Sequence, residues 1–77
     1  MAPMEKTVAE IIAQLCLQVK LGEADYGTPL KELGVDSLDV ASIFLEIHER
    51  LGVRVPDQQI DGLDTVRRIA AYLEEKR

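Results

Sequence analysis

Gly34-Val35-Asp36-Ser37-Leu38-Asp39 places a serine at the seam between a loop and the most apolar helix of the sequence. Leu38 to Leu51 follows, and then Gly52. The stretch reads as a helix of about four turns, with Ser37 at or beside the N-cap and Gly52 as the C-terminal stop. A hydroxyl at such a position ordinarily just accepts hydrogen bonds from backbone N–H groups. The helix it opens has two apolar stripes. At about 100° per residue, Val40, Ile43, Phe44, Ile47 and Leu51 share one arc of roughly 100°, wide enough to be the core face. Leu38, Ala41 and Leu45 form a second stripe roughly 140° away. Asp39, Ser42, Glu46, Glu49 and Arg50 fill the polar sector. A surface helix in a small domain needs one apolar face. The second stripe is either buried by another element or a docking surface.

Charge gathers in the same region. Between Asp36 and Asp64 lie seven acids and two bases, which together carry the whole net charge of −5. Asp36 and Asp39 flank the serine, where the positive end of the helix dipole favours acids. No basic stripe is present to neutralise phosphates, so nucleic acid is excluded as a partner, and basic protein surfaces are the expected ones. With 77 residues the chain makes one domain, spanning 1–77, with one small core. That length leaves little room for a substrate cavity of an enzyme's size. At 47% hydrophobic and 30% charged residues, it reads as folded rather than disordered. A single cysteine gives no internal disulfide. No signal peptide or membrane-spanning run is evident, so the expected setting is the cytoplasm, without membrane insertion.

The remainder of the chain reads as helices around the serine helix. Met1-Ala2-Pro3 is a frayed start. Thr7-Val8-Ala9-Glu10 has the form of a capping box, although the helix could begin a turn earlier at Met4. Val8, Ile11, Ile12, Leu15 and Val19 keep helical spacing towards an end near Lys20-Leu21-Gly22. Cys16, at the edge of that face, is expected to act as a small buried or half-buried hydrophobe. Gly22 to Asp36 is a long connection. Within it, Thr28-Pro29 can open one short helical turn to Leu33, with Leu30 and Leu33 pinning the loop and Gly27 and Gly34 as bends. Val53-Arg54-Val55-Pro56 is extended, and Asp57 to Asp61 could make a short third helix. Asp64 or Thr65 caps a last helix whose Val66, Ile69, Ala70 and Leu73 face inward. Glu74 to Arg77 is a solvated end. The chain stops just past that helix, as a discrete carrier would, or a domain cut from a longer chain. The architecture expected is all-α: a small bundle of three main helices plus one short helix.

Several chemistries are excluded. The nucleophile elbow G-x-S-x-G is absent around Ser37. The only histidine, His48, lies eleven residues along the same helix, a rise of about 16 Å that forbids a triad. Asp57 to Gly62 resembles the start of a calcium loop, but Gln59 stands at its third position and Arg68 where the bidentate glutamate belongs. No zinc ligand set exists. No catalytic residue and no metal site is expected.

Leu33-Gly34-Val35-Asp36-Ser37-Leu38-Asp39 resembles the L-G-x-D-S-L-D modification motif of acyl carrier proteins. The resemblance runs from the first helix to the last, including Val53-Arg54-Val55-Pro56-Asp57 and Thr65-Val66. It implies that Ser37 carries 4′-phosphopantetheine, moved there from coenzyme A by a phosphopantetheinyl transferase. Cargo then rides as a thioester, and the protein itself catalyses nothing. The implied partners are that transferase and an acyltransferase, ketosynthase or other acyl-processing enzymes of fatty-acid or polyketide-type biosynthesis, with basic docking surfaces. Asp36, Leu38, Asp39, Ala41, Leu45 and Glu49 are the expected recognition residues, on a monomer. Ser42, His48 and Arg50 stand where the family often has glutamate, so partner choice can differ from that of a housekeeping fatty-acid carrier. The alternatives are an aminoacyl or peptidyl carrier, which more often reads G-G-x-S, and an unmodified interaction module of carrier fold.

Overall fold

The computed structural model describes residues 3–17, 19 and 21–76. Helix α1 spans Met4–Leu15, α2 Ser37–Leu51, α3 Asp57–Ile60 and α4 Val66–Lys76. Two single 3-10 turns, Glu23–Asp25 and Leu30–Leu33, punctuate the long connection between α1 and α2. Three long helices and one short one are as expected, and no strand occurs among the described residues. Helix α1 packs against both α2 and α4.

Helix α1 takes the earlier of its two candidate starts and ends before its expected end. It begins at Met4, where the amides of Lys6 and Thr7 donate to the Pro3 carbonyl over 3.1 and 3.2 Å. Thr7 and Glu10 therefore lie inside the helix and cap nothing. The helix ends at Leu15, well before Leu21-Gly22, because the backbone of Cys16 leaves helical geometry (φ −121°, ψ 80°). Lys20, part of the expected end, lies outside the described residues, as do Met1, Ala2 and Arg77. The early end corrects a second expectation: Leu15 is 39% exposed, not a core residue. Cys16 and Val19, beyond the helix end, are buried as their places on the apolar face required.

Helix α2 is bounded by two devices. Asp36 is its N-cap in extended conformation, and Ser37 is the first helical residue. An Asp36 carboxylate oxygen accepts from the Asp39 amide at 2.9 Å, and Asp39 accepts in return from the Asp36 amide at 3.4 Å. This reciprocal pair satisfies two otherwise orphaned donors. At the far end Gly52 adopts φ 70°, and its amide donates to the His48 carbonyl at 2.9 Å. A side chain there would cost about 1–2 kcal/mol. The arc chosen from sequence is the one that packs: Ile43, Phe44 and Ile47 are buried, and Val40 and Leu51 pack half-buried at its margins.

Helix α4 buries Val66, Ile69, Ala70 and Leu73 as its spacing predicts. Of the two capping candidates, the Thr65 hydroxyl accepts from the Arg68 amide at 3.1 Å, while Asp64 pairs with the Arg68 guanidinium at 3.2 Å. The long connection is fastened to this helix start. The Leu30 amide donates to the Asp64 carbonyl at 2.8 Å, and the Arg67 amide to the Tyr26 carbonyl at 3.0 Å. Leu30 is buried beneath it and Leu33 packs partly buried, as the loop reading required. Gly34, with φ 95°, closes the second 3-10 turn and aims the chain at Ser37. Val53 and Val55 of the extended segment are buried as well.

Candidate functional site

Ser37 is exposed at the first position of α2. Its own amide and that of Leu38 have no backbone acceptor among the described residues, since the first intrahelical donor is Val40, to the Asp36 carbonyl at 3.0 Å. Two free N–H groups and the positive helix end thus lie beside this hydroxyl. Asp36 and Asp39, which a phosphate would find repulsive, have their carboxylates engaged in the capping pair.

Beside the serine opens a cleft of about 480 Å³. Its apolar wall comes from Leu30 and Val35 before the serine, Val40 and Ala41 on α2, and Ile60 and Leu63 around α3. Lys31, Asp36, Asp61 and Asp64 make the polar remainder. This cleft has no contiguous signature in the sequence, because its walls are drawn from stretches thirty residues apart. The one local signal was Leu30, read with Leu33 as pinning the loop to the core.

The second stripe of α2 is not covered by the fold. Leu38 is 78% and Leu45 59% exposed, and Ala41 is exposed also, although it doubles as cleft wall. Glu49 is exposed in the last turn, near the same stripe. Glu46, by contrast, is paired with Arg50, whose guanidinium also reaches the Gln14 side chain and ties α1 to α2. His48 is exposed and has no hydrogen bond to Ser37. No cluster of metal-ligating side chains occurs among the described residues. Cys16 is buried as expected. Burial pushes its thiol above the ordinary value, and the nearby carboxylates of Asp39 and Asp36 raise it further.

Residues 6–73 match the family described as the phosphopantetheine attachment site. An acyl carrier protein of Helicobacter acinonychis is 35% identical over 80 residues, covering 100% of this chain and 97% of that relative. The chain belongs to the acyl carrier protein family. Shorter stretches match others of that name. An acyl carrier protein of Bdellovibrio bacteriovorus is 36% identical over 47 residues, 61% of this chain and 60% of that one. A mitochondrial acyl carrier protein of Dictyostelium discoideum is 38% identical over 48 residues, 62% of this chain and 40% of that one. The cofactor of this family is a covalently attached 4′-phosphopantetheine. The geometry around Ser37 fits such a group: an exposed hydroxyl, two unpaired amides for a phosphodiester, and an adjoining apolar cleft.

Proposed function

We propose that residues 1–77 form one carrier domain, monomeric and cytoplasmic, that holds acyl intermediates of fatty-acid or polyketide-type biosynthesis on an arm attached to Ser37. One observation carries the reading: the exposed hydroxyl stands at a helix N-terminus with two free amides, beside an apolar cleft. Attachment forms a bond from Ser37 Oγ to the pantetheine-side phosphorus of coenzyme A and breaks that phosphorus's link to the nucleotide. Adenosine 3′,5′-bisphosphate leaves, and the hydroxyl proton passes to a base of the transferase. The arm then supplies a thiol that holds cargo as a thioester. The chain's own part is positioning. Its first two α2 amides stabilise the phosphodiester, and its anchored serine presents the cargo at raised effective concentration. Apart from the Ser37 hydroxyl that receives the arm, no residue of the chain takes part in bond making, so transferase, acyltransferase and ketosynthase activities belong to partners. Leu38, Ala41 and Leu45, with Asp36, Asp39 and Glu49 around them, form the surface offered to the basic faces of those enzymes.

The test is intact mass after incubation with coenzyme A and a broad-specificity transferase. Wild type gains the mass of the arm, and Ser37→Ala gains none while keeping its helical circular dichroism. Labelling of Ser37→Ala overturns the assignment. Loading with malonyl against aminoacyl donors then decides between acyl and aminoacyl cargo.

A further inference from the structure

We infer that Lys31 pairs with the phosphodiester carried by Ser37 and is the chain's own cation for holding the arm at the mouth of the cleft. This rests on Ser37 being the attachment residue. Lys31 and Ser37 line the same cleft, and Lys31 is its one cationic wall residue. The 3-10 turn Leu30–Leu33 places it there. Gly34 donates to the Lys31 carbonyl at 3.3 Å and Val35 to the Leu30 carbonyl at 3.1 Å, folding the turn back beside the start of α2. Leu30 below is buried and bonded to Asp64, so the turn is anchored.

The ammonium is uncommitted although acids surround it. Asp36 is occupied by the Asp39 amide, Asp64 by Arg68, and no carboxylate lies within 4.0 Å of Lys31 among the described residues. Joining a phosphodiester to Ser37 adds a negative charge beside Asp36 and Asp39. The two free amides of α2 meet it from one side. Lys31, the one cationic side chain lining the cleft among the described residues, adds a full positive charge to the partial charges of the helix end and offsets the crowding of acids. Lys31 is exposed on a flexible four-carbon stem beside the same cleft, and it acts here as a point charge. Its effect is to fix the root of the arm over the cleft, which makes it a positioning residue.

The experiment compares unmodified and modified forms of wild type, Lys31→Gln and Lys31→Arg, with intact mass reporting the arm. Melting temperature is measured for each form at low salt and at about 1 M salt, where screening acts within about 3 Å. Taking the modified-minus-unmodified difference within each variant removes any effect of the substitution on the bare fold. At low salt the difference is expected to be about 1–4 °C larger in wild type and Lys31→Arg than in Lys31→Gln. High salt should close the gap. The phosphorus-31 resonance of the diester should differ between wild type and Lys31→Gln in the same salt-dependent way. Equal differences in wild type and Lys31→Gln at low salt overturn the Lys31 pairing alone. Absence of the arm's mass in every variant overturns both the Ser37 assignment and this inference.

Discussion

At the scale of single residues, Asp36 has two jobs that different substitutions separate. It caps α2 through the Asp39 amide, and it carries charge next to Ser37. Asparagine caps about as well as aspartate, whereas alanine costs about 0.5–2 kcal/mol. Asp36→Asn should therefore melt near wild type but accept the arm more slowly, while Asp36→Ala should lose both stability and rate. Thermal melts paired with transfer kinetics check this, and an Asp36→Asn rate equal to wild type would reduce the acid to a cap. Cys16 supports a pH prediction. Its thiol is raised in the fold by burial, with Asp39 and Asp36 adding to it. The folded state thus holds this proton more tightly than the unfolded chain. The associated stability is complete below the ordinary thiol pKa of about 8.5 and is lost as pH rises through the folded value. The gap in stability between wild type and Cys16→Ala, followed by denaturant melts from pH 7 upward, should narrow at the alkaline end.

At the scale of the elements, α2 contains a paired test. Phe44 is buried and Leu45 is 59% exposed, though they are neighbours in sequence. Phe44→Ala should cost about 3–5 kcal/mol, enough to threaten a domain this small. Leu45→Ala should cost less than about 1 kcal/mol, yet slow arm transfer or reaction with a synthase. Melting temperature and kinetics on the same mutants decide it. Equal destabilisation with unchanged kinetics would make the second stripe part of the core. This helix was legible from its sequence because its two stripes, its cap and Gly52 are all local signals. The end of α1 was not. Leu15 and Val19 keep helical spacing, but the backbone turns at Cys16, which leaves Leu15 exposed while Cys16 and Val19 stay buried. Periodicity cannot register that trade, because tertiary packing determines it. Asp36 and Asp39 were legible as acids at a helix start. Their reciprocal bonding, which leaves the two amides between them unpaired, appears only in the geometry.

At the scale of the molecule, the acids between Asp36 and Asp64 set the long-range field, and the pairings of Glu46 with Arg50 and of Asp64 with Arg68 weaken two of them in it. Arm transfer by a basic enzyme should slow as salt rises. Stopped-flow or quench rates from about 0.05 to 0.5 M salt check this, and a flat profile would leave apolar contact alone to guide the encounter. The fold class was legible because every main helix announces itself by spacing. The cleft was not, since it exists only where the turn at Leu30 meets α2 and the segment from Ile60 to Asp64. No window of sequence contains all three.

That dependence has a consequence for synthesis on the ribosome. The Leu30 amide finds its acceptor at Asp64 and the Tyr26 carbonyl its donor at Arg67, both well after the serine in chain order. While only the first sixty residues have emerged, the loop before Ser37 has nothing to fasten to and the cleft lacks its far wall. A nascent chain therefore displays the motif before it possesses the site, and an enzyme that reads the assembled surface must wait until the last helix has left the exit tunnel.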